Sequence, residues 1–207
     1  MWELFKAGGW LMLPLLLCSV FTVAITLERL IRLRRKDVLP KQILVSSRQG
    51  NLTEIIEQLQ HDSKVKHSAL GQILSIALQS KSEGEQFTRA QMEVVASQEI
   101  HYLEKNINFL GTISAVAPLL GLLGTVVGII ESFLMIDVGS NVSPTLMIPG
   151  ISKALIATAM GMVVAIPALI AYRYLQRVVH EYISELEQQA TLFHAQLFYQ
   201  QRADQSD

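Results

Sequence analysis

The sequence is short of the residues from which most catalytic sites and secreted scaffolds are built. It has one cysteine, Cys18, and that residue lies inside an apolar run. A lone cysteine forms no internal disulfide and supplies no thiolate metal set, so Cys18 reads as a small apolar packing residue. Charge is scarce as well. Only 17% of residues are Asp, Glu, Lys or Arg, and the net charge is −1, so no bulk basicity points to nucleic acid. No nucleophile–base pair and no glycine-rich phosphate loop appears. The five histidines, His61, His67, His101, His180 and His194, all fall outside the long apolar runs. His61 and His67 do not share a helical face, and all five read as solvated surface residues. No enzyme, cofactor or metal site is expected. Strand-period alternation is missing too.

What the chain does have is hydrophobicity, unevenly placed. Half of its 207 residues are hydrophobic and the mean hydropathy is +0.34, too apolar for an average soluble domain. Ala7 to Leu27, Asn106 to Ile130 and Ala154 to Tyr172 carry no charge, and the last run extends back through Lys153 to Val138. About 20 apolar residues cross a bilayer as a helix. The expectation is an all-α membrane protein with three transmembrane helices, two of them extended far into the cytoplasm, and a helical cytoplasmic insert.

The segments follow in order. Residues 1–36 form an outer N-terminus and first span, with Trp2 and Trp10 at a membrane interface. A cleaved signal peptide is rejected, because the run is long, lacks a small-residue cleavage site and ends in charge. Its basic flank, Arg29, Arg32, Arg34, Arg35 and Lys36, is expected to lie in the cytoplasm, with the N-terminus facing out, by the positive-inside rule. The same cluster suits anionic lipid head groups, although topology is the preferred reading. Residues 37–105 form a cytoplasmic helical segment. There Asn51 offers a cap with Glu54 three residues on, before a face of Leu52, Ile55, Ile56 and Leu59. Leu70, Ile73, Leu74, Ala77 and Leu78 form a second stripe, Ser80 to Gln86 a loop, and Thr88 another cap with Gln91. With no breaker before Gly111, a single helix is expected from Thr88 to Met135. The second span is 106–136, the periplasmic loop 137–145, the third span 146–173 and the cytoplasmic C-terminal helix 174–207. Arg173 and Arg177 support the same orientation.

Two stripes of small residues mark the later spans. One contains Ser114, Ala117, Gly121, Gly124, Thr125 and Gly128; the other Gly150, Ala154, Ala157, Thr158, Gly161, Ala165 and Ala168. Lipid is as apolar as leucine, so close backbone approach is what favours helix association there. Gly121, Gly124, Gly128 and Gly161 are therefore packing positions, and Pro118 and Pro167 are expected kinks. Thr125 and Thr158 either bond their own helix four residues back or face a shared cavity. Glu131 lies about 9 Å beyond Thr125 and Lys153 about 7.5 Å before Thr158 at 1.5 Å per residue. Level threonines make these charges nearly level. They form an ion pair, within one chain or across a subunit boundary, or else snorkel to the outer interface.

The block APLLGLLGTVVGIIESF (Ala117–Phe133), followed by PGISKALIATAMGMVVAIPA (Pro149–Ala168), resembles the MotA/TolQ/ExbB proton-channel family. The N-terminal pattern ending in ERLIRLRR (Glu28–Arg35) fits it as well, and the short N-terminus and overall length look more like the ExbB branch than TolQ. The resemblance implies a bacterial inner-membrane stator, a homopentamer whose pore holds an ExbD-like single-span subunit with a proton-carrying aspartate. Movement would reach outer-membrane receptors through a TonB-like protein. Thr125 and Thr158 match the family's threonines beside that aspartate, as pore-lining residues of the proton pathway. Lys153 departs from the pattern, since the ExbB and TolQ branches commonly carry glutamate there. Unpaired lysines would oppose cation entry, an objection that a Glu131–Lys153 pore pair removes. The alternatives are a TolQ-like subunit of the Tol–Pal envelope system and a non-conducting membrane scaffold.

Overall fold

The computed structural model describes residues 9–48, 51–134 and 147–204. Trp2, the expected loop 137–145 and the start of the third span lie outside them. Every regular element among the described residues is helical: α1 (Met12–Arg32), α2 (Arg35–Val38), α3 (Lys41–Arg48), α4 (Leu52–His61), α5 (Ser63–Lys66), α6 (Ala69–Ser80), α7 (Glu85–Glu104), α8 (Ile107–Leu134) and α9 (Ile148–Asp204), with a 3₁₀ turn at Lys81–Glu83. Three stretches are long and apolar enough to cross a membrane: Met12–Arg32, Glu85–Leu134 and Ile148–Phe198. The second and third cover 50 and 51 residues, well beyond the ~20 that a crossing needs. The chain divides into two compact units, one of residues 1–28 and 106–174, the other of residues 29–105 and 175–207.

In the first unit α1, α8 and α9 pack around Met12, Leu15, Ile113, Ala117, Val164, Ala165 and Ala168. Cys18 is half-buried against this cluster, as a small apolar residue. Large apolar side chains such as Leu119, Val126, Phe133 and Ile170 point outward. That is the reverse of a soluble domain and suits a hydrocarbon solvent. Hydroxyls inside α1 are satisfied locally: Thr22 donates to the Cys18 carbonyl at 2.8 Å and Thr26 to the Thr22 carbonyl at 2.6 Å.

The second unit is built on buried Leu70, Ile73, Leu74 and Ala77 of α6, with Leu52, Ile55 and Leu59 of α4 buried on their own stripe. Each leucine or isoleucine among them contributes roughly 1.5–3 kcal/mol when fully buried. Ser68 caps α6 by accepting the Gly71 N–H at 3.0 Å. The later part of α9 buries Leu175, Val179, Leu186, Phe193 and Leu197, a spacing of four and seven that keeps one helical face inward. Arg29, 2% exposed, donates to the Tyr102 carbonyl at 3.2 Å. Arg35 reaches both carboxylate oxygens of Glu185, at 2.9 and 3.0 Å.

Three details differ from the sequence reading. First, the helix expected from Thr88 to Met135 is interrupted. α7 ends at Glu104 and α8 begins at Ile107, with Asn106 at φ 62°. Asparagine is among the few residues that enter the left-handed region at modest cost. Second, α7 starts at Glu85, behind Gly84, and Thr88 is not its cap. The buried Thr88 hydroxyl instead donates to the Ser80 carbonyl at 2.8 Å and ties α7 to the end of α6. The expected loop from Ser80 to Gln86 is correspondingly reduced to a single 3₁₀ turn and Gly84. Third, Asn51 does precede α4, but its side chain makes no cap bond and donates to Glu54 Oε2 at 3.2 Å.

Candidate functional site

Small residues set the geometry of the α8–α9 pair. On α8 the buried face runs through Leu110, Ile113, Ala117, Gly121, Gly124, Gly128 and Ser132. On α9 it includes Ala154, Ala157, Val164, Ala165 and Ala168, with Gly161 also buried. A methyl group added at Gly121 would meet the Ala157 carbonyl and Thr158 Cα, each at 3.0 Å. One at Gly161 would lie 2.7 Å from the Ala117 carbonyl, and one at Gly128 would lie 2.9 Å from Ala154 Cβ. At Gly124 it would collide with Ala157 Cβ. All four positions marked in the sequence therefore lie where one backbone runs against the other. The same contacts set an antiparallel register, in which Thr125 and Thr158 stand at one level.

The two threonines behave differently. Both are half-buried, on the edge of the seam rather than in its middle. Thr125 Oγ1 donates to the Leu122 carbonyl of its own helix at 2.6 Å, three residues back rather than four. Thr158 Oγ1 crosses to the Gly121 carbonyl at 3.0 Å. Helical register makes that carbonyl the acceptor for the Thr125 amide as well, so one oxygen links the two threonine positions. Ser132 completes the seam and was not marked by the sequence. Its buried hydroxyl donates to the Gly128 carbonyl at 2.8 Å, and a Cβ at Gly150 would collide with it. It stands directly after Glu131, just outside the charge-free run.

Pro118 and Pro167 lie inside α8 and α9. Each removes one amide donor, releasing the carbonyls of Ser114 and Val163, four residues back. Both lie on the same side of the threonine pair, 11 residues before Thr125 and five after Thr158, so about 16 Å and 7.5 Å away along their helices. Ser114 Oγ turns back to the Gly111 carbonyl at 2.7 Å.

Glu131 and Lys153 meet within one chain, with Lys153 Nζ 3.1 Å from Glu131 Oε2. Six residues separate Thr125 from Glu131 and five separate Lys153 from Thr158, which turns the charges to the opposite flank of the seam from the threonines. On that flank a cavity of about 10 Å³ is bounded by Gly9, Trp10, Leu11 and the two charged side chains. Gly9 sits at φ 75°, and a Cβ there would approach Lys153 Cε to 3.2 Å. Only glycine takes that conformation at that distance without strain. Among the described residues no group of histidine, cysteine and carboxylate side chains could hold a metal ion.

Three membrane-length helices, two of them joined by a glycine–alanine seam that carries hydroxyls on one flank and an ion pair on the other, define a multi-pass membrane protein. The MotA/TolQ/ExbB proton channel family matches residues 56–188, and the chain belongs to this family of non-enzymatic transport proteins. It is 31% identical to biopolymer transport protein ExbB-like 1 of Synechocystis over 95% of this chain and 80% of that protein. It is 36% identical to the Tol–Pal system protein TolQ of Haemophilus influenzae over 54% of this chain and 50% of that protein. Against the biopolymer transport protein ExbB of Salmonella typhimurium the identity is 40%, over 41% of this chain and 35% of that one. The chain thus spans half or less of the length of these last two relatives.

Proposed function

We propose that this chain is the ExbB-like subunit of a stator driven by the proton-motive force, which works with an ExbD-like single-span partner to energise TonB-dependent uptake across the outer membrane. One observation carries the reading. Thr125 and Thr158 stand level across a seam that has no carboxylate of its own at that depth. Hydroxyls can solvate a proton carrier but cannot replace one, since their own protons are not released near neutral pH. The titrating group must therefore come from a second protein, and a membrane aspartate on a single helix answers that need.

In this reading five copies close around the partner's helices and the threonine flank faces inward. The N-terminus is periplasmic and the C-terminus cytoplasmic, supported by the basic residues after α1 and by Arg173 and Arg177. Lys153 then places no net positive ring on the path, because Glu131 neutralises it within the chain at 3.1 Å. The 36% identity to a TolQ protein favours a second reading, a subunit of the Tol–Pal envelope system with a comparable partner. The test is the mass of the complex extracted in mild detergent, with and without a co-expressed ExbD-like subunit. A ring of five copies that takes up the partner is expected. A monomer or dimer indifferent to the partner would leave the seam as packing alone. Loss of nutrient uptake across the outer membrane on deletion favours the TonB reading, and loss of envelope integrity with intact uptake favours Tol–Pal.

A further inference from the structure

We propose that the second unit carries a binding pocket for the phosphate headgroup of an anionic phospholipid, formed by Lys36, Lys41 and Lys64. The three lysines line a cavity of about 250 Å³ whose floor includes the buried residues Pro40 and Val65. That volume accommodates a phosphate with its glycerol, while the acyl chains remain in the bilayer.

The charge state of the cavity favours an anion. Three exposed arginines are paired with carboxylates, Arg35 with Glu185, Arg89 with Glu93 and Arg177 with Glu181. No carboxylate among the described residues pairs with Lys36, Lys41 or Lys64. The cavity's one acid, Asp62, is engaged at the start of α5, where its Oδ1 accepts the Lys64 backbone N–H at 2.9 Å. Glu54 and Glu57 line an adjoining cavity, which shares Gln42 and Asp62 with this one. Lys41 is also the first residue of the eight-residue α3, whose leading amides have no intrahelical acceptor and add positive potential at the mouth. The net result is three cations against one engaged carboxylate.

Position along the chain selects lipid over a soluble anion. Lys36 follows the end of α1 at Arg32 by four residues, a reach of at most about 14 Å. The cavity is therefore tethered at the membrane surface, where a basic site meets anionic headgroups at high local concentration. Lysine stems can lie along apolar surface while their ammonium groups reach the phosphate. Occupancy would hold the segment from α2 to α5 against the bilayer. This inference does not depend on the stator reading, only on α1 crossing the membrane.

The test is native mass spectrometry of the full-length complex after exposure to mixed micelles containing phosphatidylglycerol or phosphatidylcholine. The wild type is expected to retain phosphatidylglycerol at least about tenfold over phosphatidylcholine. The combined variant Lys36→Gln, Lys41→Gln, Lys64→Gln should lose that preference. The control Lys66→Gln, Lys81→Gln, Lys105→Gln, which removes equal charge outside the cavity, should keep it. Should the triple variant fail to assemble, each single variant is read in the same way and a graded loss is expected. Equal loss in the control, or no preference in the wild type, overturns the proposal. Displacement of the lipid by inorganic phosphate at matched concentration would assign the cavity to a free anion and overturn it as well.

Discussion

At the scale of single residues, the ion pair shows how two charges are held near the end of a span. A lysine alone at the centre of a bilayer costs roughly 2.5–3.5 kcal/mol. Nearer the end of the span the cost is smaller, and Lys153 lowers it further by meeting Glu131 at 3.1 Å beside the turn at Gly9. Removing one partner leaves the other charge uncompensated. Glu131→Gln and Lys153→Gln are each expected to reduce the fraction of complex that survives heating in detergent. The double exchange Glu131→Lys, Lys153→Glu should restore most of it. Wild-type behaviour of both single variants, with collapse of the exchanged protein, would sink the pairing. The pair was legible as arithmetic on helical rise, since the two charges flank two threonines that share a level. What the arithmetic left open was whether the pair forms inside one chain, because that depends on rotation about two helix axes as well as on depth.

At the scale of elements, the three spans were legible because they are long and the signal is simple: a charge-free run must find an apolar environment. The small-residue stripes were legible in outline and displaced in detail. Thr125 belongs to the edge of the seam and Ser132 to its middle, since residues four apart drift around the helix relative to residues three apart. The interruption at Lys105–Asn106 was not legible. No glycine or proline marks the position, and asparagine reaches φ 62° by tolerating the left-handed region. This position gives a direct check. Asn106→Gly should leave thermal stability in detergent nearly unchanged. Asn106→Val should lower it by about 1–2 kcal/mol, the cost of forcing a β-branched residue into that region. Equal stability of the two variants would mean that the chain is not held in the left-handed conformation there.

At the scale of the whole molecule, the decisive contrast is between packing and proton transfer, and the two threonines separate them. Thr158 joins the helices through its bond to the Gly121 carbonyl. Hydrogen bonds between membrane helices average about 0.6 kcal/mol, so Thr158→Ala should weaken the helix pair slightly as well as alter the path. Thr125 bonds only within α8, so Thr125→Ala removes a hydroxyl without removing a bond between helices. The expectation is that Thr125→Ala assembles with wild-type mass and thermal stability yet loses proton-motive-force-driven work, while Thr125→Ser retains it. Thr158→Ala should lose the same work with a small added drop in stability, and Thr158→Ser should recover both. Uptake dependent on the membrane potential, measured beside complex mass for all four variants, checks this. Full activity of both alanine variants would make the hydroxyls packing groups and leave the chain a scaffold. Loss of work only in step with lost stability would say the same of Thr158 alone, and the proposed proton path would then rest on Thr125.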